Sequence, residues 1–177
     1  LDTKRGAYRY HRLFRDLLRD ELGEHEPGAA AELCRRAADW CGEHGEREHA
    51  VDYAYASGDM DHAARLVLAS TFPLHWSGRI ATVGRWLAWF DRDGERERRA
   101  ALAVIAGWVH AMEGRTREGR RWLTSAEQSV DDGPMPDGAS RASWVAVLRG
   151  YMAPAGMETL ASDARIALAG IPDESPF

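Results

Sequence analysis

Hydrophobic positions recur every three to four residues along almost the whole chain, which predicts a succession of amphipathic α-helices. Pro27 suits the first position of a helix, and the period continues from there with few interruptions. The predicted buried sides of the first four helices after Pro27 carry Ala31, Leu33, Cys34, Ala37, Ala38 and Cys41; then Ala50, Val51, Tyr53 and Ala54; then Ala63, Leu66 and Val67; then Ile80, Val83, Leu87 and Phe90. Asp59 is placed to cap the third of these helices, and Thr71 to Pro73 predict a break after it.

The second half of the chain contains the most hydrophobic segment, residues 95 to 112. Its apolar positions form two adjacent stripes, Leu102/Ile105/Val109/Met112 and Ala101/Val104/Trp108/Ala111. This pattern predicts a helix with neighbours on two sides. A further helix is predicted from Thr116 to Val130, followed by a loop at 131–139 that is rich in Gly, Pro and Asp. The predicted inward residues of the last two helices are Trp144, Val145, Leu148 and Tyr151, and then Met157, Leu160, Ala161, Ala164 and Leu168.

The N-terminal stretch YRYHRLFRDLLRDEL, residues 8–22, combines a short aromatic run with a helix pattern. The run at 7–10 predicts the end of a strand, and Leu13, Phe14, Leu17, Leu18 and Leu22 form the apolar stripe of the helix. A lone strand is unstable because its backbone groups have no partner. We therefore expect that the chain comes from a larger protein and begins inside a domain whose last strand and helix it retains.

A turn signature repeats along the chain: a glycine, a small residue five positions later, and a packing residue eight positions later. The four occurrences are Gly45/Ala50/Tyr53, Gly58/Ala63/Leu66, Gly114/Gly119/Trp122 and Gly156/Ala161/Ala164. Such a signature is typical of stacked helix pairs, in which the glycine ends one helix and the small residue lets the next approach closely. The predicted fold is all-α, a tetratricopeptide-like superhelix of stacked antiparallel helix hairpins.

Composition and charge narrow the function classes. With 45% hydrophobic and 29% charged residues, the chain has the composition of a folded globular protein, and its apolar runs are shorter than a membrane span. No secretory signal is evident. The net charge of −5 makes long-range attraction to nucleic acid unfavourable.

Few residues suggest catalytic or metal chemistry. Cys34 and Cys41 lie too far apart on one predicted helix to form a disulfide. Together with His44 and His49 they raise a zinc hypothesis, although C-x6-C is not a usual zinc spacing. The alternative is that the cysteines are small buried hydrophobes and the histidines lie on a solvated turn.

The acidic residues, the arginine runs and the seven tryptophans also allow two interpretations. Solvated salt-bridge partners explain the scattered acids better than a general acid and base, and solvated faces explain the arginine runs at 92–99 and 115–121. The tryptophans fit either a core or a ligand groove. No nucleophile elbow, P-loop, dinucleotide fingerprint or H-E-x-x-H motif occurs, so an enzyme is not the expected class.

Three segments together resemble a known family: YRYHRLF at 8–14, LCRRAADWCGEHGEREHAVDYAYASGDMDHAARLV at 33–67 and GRIATVGRWLAWF at 78–90. The chain is similar to the region after the nucleotide-binding core of large ATP-dependent transcriptional regulators of the MalT/LuxR type. The residues that match the helical-arm motif of that family in order are Ala37, Trp40, Gly45, Ala50, Val51, Tyr53, Ala54, Gly58 and Asp59, with Tyr53 in place of the usual histidine. The close of the chain, from Ala164 to Phe177, is similar to the end of a repeat in these proteins.

The resemblance implies a division of the chain into three parts. Residues 1–24 would be the remnant of a winged-helix module, residues 25–92 a helical arm, and residues 93–177 the first tetratricopeptide-like repeats of a sensor domain. It implies a non-catalytic regulatory fragment of a cytoplasmic protein, without a cofactor of its own, whose parent binds ATP and ADP. It further implies that His11 contacts the phosphates of ADP in the intact protein; the alternative is that His11 only caps or packs the strand-to-helix junction.

The partners implied are an inducer, either a small molecule or a protein, and self-association of the parent. DNA would be bound only through a C-terminal helix-turn-helix outside this chain, and no membrane is involved. A different class stays open: a stand-alone helical-repeat adaptor that binds a protein or peptide in its groove. The adaptor predicts a natural start near Leu1, whereas the regulator predicts coding sequence on both sides.

Overall fold

Helices make up the regular secondary structure of the computed structural model, which describes residues 11–94, 98–129, 135–152 and 156–172. They are α1 Arg12–His25, α2 Pro27–Glu43, α3 Arg47–Ala56, α4 Met60–Trp76, α5 Ile80–Arg92, α6 Ala100–Met112, α7 Thr116–Gln128, α8 Arg141–Met152 and α9 Met157–Gly170. The all-α prediction is confirmed. The strand predicted at 7–10 lies outside the described residues.

Contacts between residues group the chain into two compact units, 1–66 and 67–177, with the limit inside α4. In the first unit α2 packs against α3 and α1 against α2. In the second unit α6 pairs with α7 and α8 with α9, while α8 also contacts α6 and α7, and α5 contacts α6. Successive helices thus form hairpins, and neighbouring hairpins pack together within the second unit. The domain limits after residues 24 and 92 stay predictions.

The predicted turn glycines have the expected backbone conformation: Gly45, Gly58 and Gly114 follow α2, α3 and α6, and Gly156 is the N-cap of α9. Gly45, Gly58, Gly114 and Gly156 all have positive φ, between 74° and 89°, a conformation that costs glycine far less than other residues. After α6 the N–H of Gly114 donates to the carbonyl of Ala111 at 3.0 Å, and the N–H of Arg115 donates to the carbonyl of His110 at 2.8 Å. These bonds satisfy carbonyls that the helix end would leave unpaired.

The break predicted at Thr71–Pro73 is wrong, because α4 continues through Pro73 to Trp76. A proline inside a helix removes one backbone hydrogen bond and crowds the preceding turn. Here Pro73 lies in the last turn, where few further bonds depend on it. Val67 and Leu74, on either side of the predicted break, are both buried, so their packing outweighs the local cost of the proline.

Helix α4 begins as predicted with Asp59, whose Oδ1 accepts the N–H of His62 at 2.9 Å. This bond satisfies one of the unpaired N–H groups of the first turn. Asp59→Ala should therefore lower the free energy of unfolding by about 1 kcal/mol in urea denaturation. Asp59→Asn keeps an oxygen acceptor and should lose less than half of that. Equal losses in the two variants would show that the cap does not stabilise α4.

Two predicted helix limits shift. The helix predicted at 95–112 begins at Ala100, because Arg99 has the extended backbone φ −131° and ψ 91°; residues 95–97 lie outside the described part. The helix predicted from Thr116 to Val130 ends at Gln128, where Ser129 turns extended. The loop prediction is confirmed at 135–139, while 130–134 lie outside the described residues.

The inward faces predicted for α8 and α9 are partly wrong. Tyr151, Met157, Leu160 and Leu168 have exposed fractions of 58%, 81%, 37% and 83%, and Ala161 and Ala164 are exposed too. Helix α9 instead buries Asp163 and Ala167.

Polar contacts with α8 determine which face of α9 is buried, that is, the rotation of α9 about its own axis. Arg149 of α8 donates to Asp163 at 2.8 Å, and the Ser143 hydroxyl donates to the carbonyl of Ile166 at 3.1 Å. Both bonds hold α9 with its polar edge toward α8. Hydrophobic periodicity does not contain this information. Leu33 on α2 and Met112 on α6, also predicted inward, are 48% and 43% exposed.

Candidate ligand cavity between α5, α6 and α7

A small cavity lies within the second unit, where α5, α6 and α7 meet, and has a volume of about 150 Å³. Its lining includes Gly84 and Asp91 of α5, His110 of α6, and Glu118, Arg121 and Trp122 of α7. Positions three, four or seven residues apart lie on one face of a helix, so each of α5 and α7 presents a single face to the cavity. Among the described lining residues, four ionisable side chains come from the three helices, and Arg115 in the α6–α7 turn is a fifth. The packing of the three helices brings them together with the buried Trp122.

Glycines allow α6 and α7 to approach closely and leave space beside α5. Helices α6 and α7 approach so closely at Gly107 and Gly119 that a Cβ on Gly119 would lie 3.2 Å from the carbonyl oxygen of Gly107. On α5, Gly84 contributes no side chain, and a Cβ there would lie 3.5 Å from Nη2 of Arg115. The cavity is thus open because α5 presents a glycine where a larger residue would occupy the space.

His110 is the most deeply buried ionisable residue of the lining, with an exposed fraction of 7%. Its Nδ1 has no hydrogen-bond partner among the described residues, and the nearest acid is Glu113, with Oε2 at 3.8 Å. Glu113 in turn accepts a hydrogen bond from Arg115. A buried imidazole nitrogen without a partner is unusual, because buried polar groups are normally hydrogen-bonded.

Burial lowers the pKa of His110 below its ordinary value, and the positive charge of Arg115 lowers it further. The carboxylates of Glu113, Glu118 and Asp91 act in the opposite direction without outweighing these two causes. The ring is therefore neutral near pH 7. A neutral imidazole carries one N–H and one acceptor nitrogen, and the proximity of Glu113 favours the tautomer with the proton on Nδ1.

Glu118 and Arg121 lie three residues apart on α7, and both line the cavity. Within the described part of the chain, their side chains make no ion pair or hydrogen bond with each other or with another residue. Opposite charges at this spacing commonly pair on a helix surface. Here they lie beside each other at the cavity and are available to a ligand.

The lowered pKa of His110 predicts a pH dependence of stability. The unfolded chain binds a proton near the ordinary histidine pKa of about 6.5, whereas the folded chain does so only at lower pH. This contribution to stability is complete above pH 6.5 and is lost as pH falls from there through the folded pKa. His110→Gln should flatten this part of the curve of unfolding free energy against pH. An unchanged slope in the variant would contradict the neutral buried ring.

The structure places the sequence-predicted site residue His11 at the N-cap of α1, where its side chain is exposed and makes no capping hydrogen bond. The alternative role as a side-chain cap is therefore not observed. The contact with ADP phosphates in the intact protein stays a prediction.

The four residues of the zinc hypothesis do not form a site. Both cysteines are free thiols, and burial, with Glu46 as the second cause, raises the pKa of Cys41. His44 is exposed and stacks on Trp40 with ring centroids 4.0 Å apart. Within the described ranges, no group of three or more His, Cys, Asp or Glu residues is placed to hold a metal ion.

The tryptophans divide between the two interpretations. Trp86, Trp108, Trp122 and Trp144 are buried, which is the core role. Trp122 combines that role with a place in the cavity wall, and its ring centroid lies 6.4 Å from that of His110. Trp40 and Trp76 are 56% and 70% exposed.

Motifs and spacing do not identify His110, although the sequence carries one signal for it. It is an imidazole within LAVIAGWVHAM, the most apolar of the described helices, where a polar side chain needs a partner or a function. The sequence pattern predicts solvated faces for Arg115 and Arg121. Both are indeed exposed, yet both also line the cavity.

Comparison of the chain with protein-family models, with curated proteins and with solved structures finds no match. In the described part of the chain, no helix has the length and apolar character needed to cross a bilayer.

Proposed function

We propose that the chain is a non-catalytic sensor module of an ATP-dependent transcriptional regulator of the MalT/LuxR type, and that the cavity between α5, α6 and α7 binds its inducer. The observation that carries this proposal is that the buried ring of His110 lines the cavity together with Glu118 and Arg121, whose side chains pair with no other described residue. A ligand that hydrogen-bonds to the ring and pairs with the two charges would gain charge-assisted hydrogen bonds. The family resemblance supports the regulatory role.

The lining supports binding rather than group transfer. Among the described residues that line the cavity there is no serine, threonine or cysteine that His110 could activate. Covalent catalysis by such a side chain needs a nucleophile within hydrogen-bond reach of a base. Concave sites with an aromatic wall and a few convergent polar groups are typical of small-molecule recognition.

The position of the cavity supports a signalling role. A ligand that contacts α5 and α7 at once would stabilise the arrangement in which these helices enclose it, by mass action. Such a ligand changes the state of the parent only if it binds one arrangement more tightly than the other. The α6–α7 hairpin also contacts α8, so a shift of the hairpin on binding would reach the next repeat.

A helical-repeat adaptor is the second candidate, favoured by the exposed apolar residues Met157 and Leu168 on α9. The reading frame that encodes the chain separates the two. The regulator requires a P-loop ATPase before these residues and a helix-turn-helix after them, whereas an adaptor requires neither.

The parent protein allows a functional test with Gly84→Leu. Leucine at this position fills the cavity without altering a charge, and leucine is a better helix former than glycine. The variant should lose inducer-dependent self-association and keep its nucleotide binding. Inducer-dependent self-association unchanged by Gly84→Leu would overturn the assignment of the cavity.

A further inference from the structure

We infer that the cavity takes a small zwitterion of the size of a short α-amino acid, bound by its carboxylate to Arg121 and by its ammonium group to Glu118. This inference rests on the proposed function and specifies its ligand. It is carried by two opposite charges at one small cavity that do not pair with each other.

The charge pattern selects a ligand with both signs. Arg121 and Glu118 are three positions apart on α7, a spacing at which two side chains lie on the same face of a helix. Both charges therefore meet a ligand from the same side of the cavity. A ligand with a single charge would pair with only one of these side chains and would gain less from the site than a ligand that pairs with both.

The volume selects a short ligand. A cavity of about 150 Å³ is below the range of roughly 300–1,000 Å³ that encloses drug-sized ligands. An apolar cavity of about this size can hold one benzene molecule. The space therefore suits a molecule of about six to eight non-hydrogen atoms, such as alanine or serine.

His110 provides the contact for the remainder of the ligand. With its proton on Nδ1, near Glu113, the neutral ring presents Nε2 as a hydrogen-bond acceptor. A hydroxyl group on the ligand, as in serine, would donate to this nitrogen. We expect serine to bind more tightly than alanine, since its hydroxyl adds a hydrogen bond that alanine cannot make.

Calorimetric titration of the purified chain with serine, alanine, propionate, ethylamine and glycerol tests the inference. Serine and alanine should bind, and the singly charged or neutral probes should bind at least tenfold more weakly. Arg121→Gln and Glu118→Gln should each weaken serine binding about tenfold or more, as expected for loss of a hydrogen bond to a charged group. Arg120→Gln, an exposed residue of α7 outside the lining, should leave the affinity unchanged.

Each contrary outcome points to a different failure. If glycerol or propionate binds as tightly as serine, the inference of a zwitterionic ligand is wrong. The same holds if Arg121→Gln binds serine with full affinity and has an unchanged melting temperature. Either result leaves the cavity as the sensor site. If none of the probes binds, yet wild-type chain carries a different small molecule that Gly84→Leu lacks, the ligand class is wrong and the proposed function stands. Absence of any such molecule together with absence of probe binding would overturn both.

Discussion

Gly107→Val should lower the free energy of unfolding by about 3 kcal/mol, at the upper end of typical overpacking costs. A Cβ on Gly107 would lie 2.6 Å from Cδ2 of Leu148 and 3.4 Å from the carbonyl oxygen of Gly119. Leu148 is 1% exposed and has little room to move, and the backbone of α7 cannot yield without separating the α6–α7 hairpin. The measurement is urea denaturation followed by circular dichroism.

Gly42→Ala is the matched control, because Gly42 also lies inside a helix but a Cβ there would meet nothing within 4 Å. The alanine should stabilise the chain by about 0.5–1 kcal/mol through its better helix propensity. Opposite signs for the two variants would confirm that close helix approach, and not helix propensity, requires glycine at position 107. A Gly107→Val variant as stable as the wild type would contradict the packing of α6 against α7 and α8.

Arg149→Met should lower the free energy of unfolding by about 2–3 kcal/mol. The Arg149 guanidinium donates to Asp163 at 2.8 Å and to Glu127 at 2.7 Å, and thereby joins α8 to α9 and α7. The side chain of Asp163 is only 6% exposed, so the variant leaves a buried carboxylate without its cation. Breaking a buried pair typically costs 3–5 kcal/mol; the side chain of Arg149 is 39% exposed, and solvent screening reduces that value.

A double-mutant cycle isolates this interaction. Asp163→Asn in the Arg149→Met background removes the unpaired charge and should recover part of the lost stability. Arg165→Met, on an exposed position of α9, should change the free energy of unfolding by less than about 0.5 kcal/mol. Equal effects at Arg149 and Arg165 would show that the ion pairs do not hold α9 in place.

Local features of the fold followed from the sequence because local physics determines them. The helical period, the cap at Asp59 and the turn glycines depend on residues within one or two turns of one another. The misplaced features depend on distant contacts. Pro73 stays in a helix because its flanks are buried, and α9 turns its apolar residues Met157 and Leu168 outward because Arg149 and Asp163 fix its rotation.

The candidate site followed from the sequence much less well. Its polar groups come from α5, α6 and α7, and no spacing rule relates Asp91 to His110 or Glu118 along the chain. The helix pattern showed that α6 has neighbours on two sides, but not that His110 would face a gap left by Gly84. The resemblance to the regulator family implies a functional residue at His11, before α1. The residues of the cavity instead belong to α5, α6 and α7 and to the α6–α7 turn.

Native mass spectrometry of the purified wild-type chain beside Gly84→Leu tests the central claim most directly. The claim is that the space between α5, α6 and α7 is a binding site for a small ligand. The wild-type chain is purified without extensive dialysis, or is mixed with serine after purification. We expect it to carry an extra mass of about 100 Da that is lost on mild collisional activation. Under the same conditions Gly84→Leu should carry no extra mass. A bare wild-type chain, or an equal extra mass on both proteins, would contradict the claim.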